Sequence, residues 1–84
     1  MGKILSRESA INSLQVSKMG NIPSGDFKPG FYFLVKNITD DNITLQVRPA
    51  GQLEFIETPL YPGWNPELLA EIKGVTANQL QYGY

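Results

Sequence analysis

The side chains that carry most enzyme chemistry are missing from this sequence, which contains no histidine and no cysteine among its 84 residues. Their absence removes the thiolate nucleophile, the disulfide, the commonest metal ligand and the usual proton shuttle near neutral pH. Ser24 lies beside Gly25 but has no histidine and no obvious lysine as an activating base. Glu67 and Glu71 are one helical turn apart, and solvation of a helix surface accounts for them. The sequence therefore predicts no catalytic residues and a protein that is not an enzyme.

Two further patterns offer ligand atoms but are better explained as turns. Asp40, Asp41 and Asn42 supply oxygens, yet calcium requires about six to eight of them, and the segment lacks the length and spacing of an EF-hand. The glycine-rich segment 20–30 lacks the Gly-Lys-Ser/Thr ending and the strand-then-helix context of a phosphate-binding loop. We therefore expect no metal site and no cofactor.

The charge distribution argues against binding to nucleic acid or to a membrane surface. The formal net charge is −1, whereas phosphate-binding surfaces are basic. Residues 1–30 carry four basic and two acidic side chains, and residues 31–84 carry three basic and six acidic ones. A mildly basic leader of this kind fits an arm lying on a neighbouring copy, and it also fits ordinary solvated charge. Because no apolar run has the length of a membrane span or the form of a secretory signal, we expect no membrane partner and no secretion.

Residues 31–58 contain the clearest strand signals. In the run 31–38, aromatic and β-branched residues occupy both parities, which is typical of a strand buried on both faces at its start. In the run 42–48, apolar and polar residues alternate, which indicates a strand with one wet face. A third extended run, 52–58, includes Leu53 as an apolar position. Turn signals between the runs predict a three-stranded antiparallel meander.

A short helix is predicted after these strands, from Pro66 to Lys73. Asn65 can cap its first free amides, and Pro66 at the first helical position has its φ already set. Lys73 lies where the helix dipole favours a cation, and Gly74 can adopt the left-handed stop. So short a helix is unstable alone, so we expect it to pack on the sheet and cap one end of the β core.

Trp64 and Tyr61 precede this helix and allow two interpretations. Their rings could form an aromatic platform for a sugar or a base. Alternatively, Trp64 could plug the core beneath the helix cap. We favour the plug, because a turn restrained by Pro62, Gly63 and Pro66 would position an anchor well.

The two ends of the chain are the candidate contact segments. We predict an extended arm over residues 1–12, a strand across residues 13–19, and a strand or tail over residues 75–84. That tail is compatible with a last strand of the same domain and with an extension onto an adjacent subunit, where tyrosines make good contact residues. The candidate interface residues are Ile4, Leu5, Leu80, Tyr82 and Tyr84.

Taken together, these segments predict one domain over residues 1–84, with a β core and helix over residues 13–74. The expected fold is mainly β, a small antiparallel β-sandwich or barrel of about five or six strands with one short capping helix. A domain this small is only marginally stable alone. Without a disulfide to stabilise it, we expect it to gain stability from partners by oligomerisation or docking.

The pattern of the chain resembles the small β-sandwich virion proteins of tailed bacteriophages. The resemblance spans roughly residues 30–74 and rests on the Gly-Phe-Tyr-Phe-Leu-Val run at 30–35, the alternating strand 42–48, the Pro-Gly-Trp-Asn-Pro turn at 62–66 and the short helix. Capsid decoration, head-auxiliary and head-fibre or tail-attachment subunits belong to this group. The resemblance implies a homo-oligomer, for instance a trimer, that contacts virion proteins such as the major capsid protein. It also implies synthesis in the host cytoplasm and location in the virion.

A binding module is the alternative interpretation. A strand, a three-stranded meander, a helix and a final strand come close to an OB-fold, although in that fold the helix follows the third strand. Such a module would bind single-stranded nucleic acid or an oligosaccharide through Tyr32, Tyr61 and Trp64. The acidic body of the chain argues against nucleic acid.

Overall fold

The computed structural model describes residues 16–84 of the protein. The predicted arm over residues 1–12, with Ile4 and Leu5, and the start of the predicted strand 13–19 lie outside the described residues. The described chain forms seven β-strands and contains no helix. In chain order these are β1 (Met19–Asn21), β2 (Gly25–Phe27), β3 (Phe33–Asn37), β4 (Ile43–Pro49), β5 (Ile56–Leu60), β6 (Gly63–Val75) and β7 (Leu80–Gly83).

All seven strands belong to one antiparallel sheet, which confirms the mainly β, antiparallel prediction. The order is β1-β7-β3-β6-β4-β5, and β2 pairs with β6 outside this path. The path therefore ends at β1 and β5. Pro59 lies in β5, which suits an edge strand, because one side of such a strand needs no main-chain donor.

The three predicted strands of the central block are present, but the predicted meander is wrong. β4 and β5 do pair, with Val47 opposite Ile56. β3 pairs instead with β6 and β7, so β6 lies between β3 and β4. A turn signal specifies a reversal of the chain but not the neighbour of a strand, which depends on packing across the sheet. Here the side-chain amide of Asn37 donates to the main-chain oxygens of Asp41 and Leu60, which ties the turn after β3 to the end of β5.

The capping helix predicted from Pro66 to Lys73 is also wrong, because this segment lies inside the long strand β6. The first part of β6 pairs with β3, and its last part pairs with β4 and β2. Hydrogen bonds to three neighbouring strands stabilise it more than the few internal bonds of so short a helix could. The strand buries Leu69 and Ile72 but leaves Leu68 48% exposed, whereas a helix over this segment would place all three on one apolar stripe.

The residues expected to cap the helix have other roles in the strand. Pro66 falls where the register between β6 and β3 shifts, between the partners of Phe33 and Val35. Its missing N–H is tolerated at such a bulge. Asn65 buries its side chain in the protein rather than capping a helix. Gly74 does adopt a positive φ of 74°, but inside β6 and not as a helix stop.

A single hydrophobic core joins most of the strands. Its buried members are Ile22, Phe33, Val35, Val47, Leu60, Leu69, Ile72, Val75 and Leu80. The C-terminal segment contributes to this core through Leu80 of β7, which lies between β1 and β3 in the sheet. Within the two interpretations of the tail, the described structure therefore corresponds to a last strand of the same domain.

Candidate functional site

A groove of about 220 Å³ opens where the loop before β3 meets β4 and β6. It is lined by Lys28, Gly30, Phe31, Tyr32, Arg48 and Ala70. Gly30 has a φ of 92°, a conformation that glycine adopts without steric cost, and it turns the loop towards β3. Two cations and two aromatic rings thus line one concavity. Such a surface suits an apolar group with an acidic neighbour.

Arg48 is held in place by two contacts on the side of the groove. Its Nε lies 3.4 Å from Oε1 of Glu71, which is also its partner across the β4–β6 ladder. Its Nη1 donates to the main-chain oxygen of Gln52 at 3.1 Å. The guanidinium therefore fixes the start of the loop that leaves β4, and Glu71 compensates much of its charge.

The loop over residues 50–55 is fastened at both ends. The N–H of Ala50 donates to the main-chain oxygen of Leu68 at 3.0 Å, and the N–H of Gln52 donates to that of Pro49 at 3.0 Å. At the other end, Nζ of Lys73 lies 4.1 Å from the centre of the Phe55 ring, a cation–π contact. We call this segment the Leu53 loop, after the residue at its tip.

Large apolar side chains remain exposed in and beside the groove. Tyr32 lines it and is 55% exposed, Leu53 is 93% exposed, and Leu68 is 48% exposed. Leu53 follows Gln52, whose main-chain oxygen accepts from the groove residue Arg48, and Leu68 lies two positions before the groove residue Ala70 in the same strand. We call Tyr32, Leu53 and Leu68 the apolar rim. Exposed apolar groups that gather in this way mark contact surfaces more often than scattered ones do.

The C-terminal tyrosines belong to an aromatic cluster that shares Phe31 with the groove. The Tyr84 ring lies 4.2 Å from the Phe31 ring, and the Tyr82 ring lies 5.1 Å from the Phe27 ring, between ring centres. Tyr82 is half-buried and Tyr84 is 43% exposed. Of the predicted interface residues, Leu80 is 1% exposed and lies in the core. The structure therefore places Tyr84 at the surface and Leu80 inside the domain.

Trp64 and Tyr61 lie at the other end of β3 from the groove and do not line it. The Trp64 ring packs on Gly83, and Nζ of Lys36 lies 5.9 Å from its centre. Tyr61 is 40% exposed, and both its N–H and its main-chain oxygen bond to the buried amide of Asn65 at 3.0 Å. Trp64 is half-buried and outside the main core cluster, so it covers a strand rather than plugging the core.

No family model, no curated protein and no solved structure matches this chain. Over residues 16–84, no three histidine, cysteine or acidic side chains come together in a way that could hold a metal ion. In the same part of the chain there is no helix of the length and hydrophobicity needed to cross a membrane.

Sequence reasoning missed most of the groove. It identified Tyr32 but not Lys28, Arg48 or Ala70, because these come from three distant segments that only the pairing of β6 brings together. Leu53 was expected in an extended run over residues 52–58, yet β5 begins only at Ile56. The Pro-Ala-Gly break at 49–51 was the available signal that a loop, rather than a strand, continues through Leu53.

Proposed function

We propose that this protein is a non-enzymatic structural subunit that works by associating with other protein molecules. The proposed partners are copies of itself and proteins of a virus particle, such as a major capsid protein on a phage head or tail. The observation that carries the proposal is the apolar rim, in which Leu53 is 93% exposed at the tip of a fastened loop. Covering apolar surface is favourable by about 25 cal/mol per Å², so such a side chain gains from a partner.

The body that presents this rim is well ordered by its own hydrogen bonds. The amide of Asn37 organises the turn after β3, and the amide of Asn65 organises the turn before β6. Both side chains are buried, and no buried side-chain nitrogen or oxygen in residues 16–84 lacks a hydrogen-bond partner. A preorganised surface loses less conformational entropy on association, and this property suits a subunit of a larger assembly.

The finer architecture that we propose is a small antiparallel β-sandwich or barrel. Its support is β6, which pairs with β3 along its first part and with β4 and β2 along its last part, with the core among them. Within residues 16–84, the sheet path also ends at two strands, β1 and β5, each of which has one neighbour. Free edges are further sites at which a subunit can contact its neighbours. The setting in a tailed-phage particle is supported by the resemblance over residues 30–74 in its strand runs and its Pro-Gly-Trp-Asn-Pro turn, although the short helix that was part of the resemblance is a strand in the structure.

Light scattering across a wide concentration range tests the association. We expect the mass per particle to rise above that of one chain as the concentration rises. The virion setting is tested by mass spectrometry of purified phage particles whose genome encodes this sequence. We expect the chain in many copies per particle. A strict monomer that is also absent from the particles would overturn the proposal.

A binding module for single strands or oligosaccharides is the second candidate, because the groove combines Lys28 and Arg48 with Phe31 and Tyr32. Aromatic stacking beside cations is the usual chemistry of such sites. Fluorescence anisotropy with a labelled single-stranded oligonucleotide would then show binding that weakens with salt and on Tyr32→Ala. A glycan array probed with the same two proteins covers the oligosaccharide case. Binding unaffected by Tyr32→Ala would reject this candidate.

A further inference from the structure

We propose that two copies of this chain form a twofold dimer in which each inserts Leu53 into the groove of the other. The inference rests on the proposed function and deepens it by naming the surface and the partner. It starts from one exposed leucine, Leu53, and one open concavity, the groove. These two features lie side by side, joined by the hydrogen bond from Arg48 to Gln52.

The Leu53 loop is suited to insertion into a partner, because the loop is ordered and its leucine is exposed. Hydrogen bonds fix it on the near side of Leu53, through Ala50 and Gln52, and the contact between Lys73 and Phe55 fixes the far side. Despite these restraints Leu53 is 93% exposed. The side chain is therefore held out in solvent by an ordered loop, so its insertion into a partner costs little ordering entropy.

The groove is chemically complementary to the tip of this loop. Phe31, Tyr32 and Ala70 offer it apolar walls, and Lys28 offers a positive charge. In the loop, the apolar Leu53 is followed directly by the exposed acidic residue Glu54. Over residues 16–84 the single ion pair joins Arg48 to Glu71, so Lys28 and Glu54 are not paired with each other within one copy.

In its own chain the loop does not fill the groove. Leu53 is not among the residues that line it and is 93% exposed, while Arg48 binds the main-chain oxygen of the preceding residue, Gln52. A second copy has no such restraint. The loop of a second copy also carries an apolar residue and an acidic residue, which match the apolar walls and the lysine of the groove.

The side-by-side arrangement favours a closed dimer over a chain of subunits. In a twofold interface, residue i contacts residue j while j contacts i, so an insert and its receptor must share one surface patch. Rotation about an axis beside Arg48 would bring both Leu53 loops into both grooves at once. Leu68, which accepts the hydrogen bond from Ala50, would be covered at the edge of the same contact.

The expected dimer is weak, because an exchange of two short loops covers less than the roughly 800 Å² per partner of a standard interface. We expect it at micromolar concentrations in sedimentation velocity. Leu53→Asp should raise the dissociation constant at least about tenfold, since a central apolar anchor dominates such contacts. The substitution should leave the fold intact because the side chain is exposed. Ile38→Asp is the matched control, since Ile38 is also exposed, at 45%, but lies in the turn after β3.

A charge exchange identifies the pair across the interface. Glu54→Lys and Lys28→Glu should each weaken self-association, because each homodimer then places like charges together at both contacts. An equimolar mixture of the two variants should recover a dimer, because every contact between unlike copies again joins opposite charges. Recovery with the mass of two chains supports the twofold dimer, and growth beyond two chains overturns it.

The remaining outcomes separate this inference from the proposed function. If the wild type self-associates but Leu53→Asp leaves the dissociation constant unchanged, the surface is wrong while the structural role stands. If the wild type stays monomeric at all concentrations but binds phage particles through Leu53, the Leu53 loop contacts another protein, and the dimer is rejected. If labelled single-stranded oligonucleotides bind in the groove and prevent self-association, the binding-module function replaces the proposed dimer.

Discussion

The ring of Trp64 lies directly on the main chain of Gly83. A Cβ placed on Gly83 would come within 2.6 Å of Cη2 of Trp64 and 2.5 Å of Cγ1 of Val16. Glycine is therefore required at this position of β7 by the close approach of a side chain from β6. The contact also shows what Trp64 does. Its ring covers β7 at Gly83, the residue that pairs with Leu34 of β3.

Gly83→Ala should destabilise the protein by about 1–3 kcal/mol, because the new methyl group forces Trp64 or the strand to move. Urea unfolding followed by Trp64 fluorescence measures the change. Gly51→Ala is the control, since nothing lies within 4 Å of a Cβ at that position, and it should shift stability by no more than about 0.5 kcal/mol. Equal stability of both variants would contradict the packing of Trp64 on Gly83.

The variant Asn65→Ser tests whether the segment that begins at Asn65 belongs to the observed strand β6 or forms the helix that the sequence predicts. The amide of Asn65 donates to the main-chain oxygens of Tyr61, Gly63 and Val35 and accepts from the N–H of Tyr61. Serine caps a helix as well as asparagine does but cannot make these bonds. We expect a loss of about 2 kcal/mol or more, as buried main-chain groups lose partners.

The same unfolding experiment with Asn42→Ser provides the reference, because Asn42 is exposed. A helical segment would leave the stability of Asn65→Ser close to that of the wild type. Far-ultraviolet circular dichroism of the wild type gives an independent reading, since the described chain is a β-sheet without helix.

Leu80→Ala tests whether this residue acts in the core or at a subunit contact. Leu80 is 1% exposed and belongs to the main hydrophobic cluster. Truncation of such a leucine costs about 2–5 kcal/mol. Leu53→Ala, at a 93% exposed position, should cost less than about 0.5 kcal/mol. If Leu80→Ala instead weakened self-association and left the unfolding midpoint unchanged, its place in the core would be wrong.

Local pattern was sufficient for the strands whose apolar residues alternate or cluster. The runs around β3 and β4 were predicted close to their observed bounds, because the packing of a pleated strand imposes a period of two on the sequence. Gly74 was predicted as the left-handed stop of a helix, and its φ is positive although it lies inside a strand. These features depend on single residues and their near neighbours.

The long strand β6 shows where such reasoning fails. Asn65, Pro66 and Gly74 match the chemistry of helix ends, and Leu69 and Ile72 match a helical stripe. The same residues also serve a bulged strand, in which Asn65 is buried, Pro66 falls at a register shift and Gly74 has a positive φ. The choice depends on three partner strands that lie far away in the sequence.

By itself, then, the sequence determined the class of the protein: its composition excludes thiol and imidazole chemistry, and its alternating runs require a sheet. Only the tertiary structure decided the strand order, the place of β6 between β3 and β4, and the groove that this order assembles beside Leu53. The physical reason is that side-chain period and turn chemistry act over a few residues. The neighbours of a strand, by contrast, are chosen by burial and hydrogen bonding summed over the whole chain.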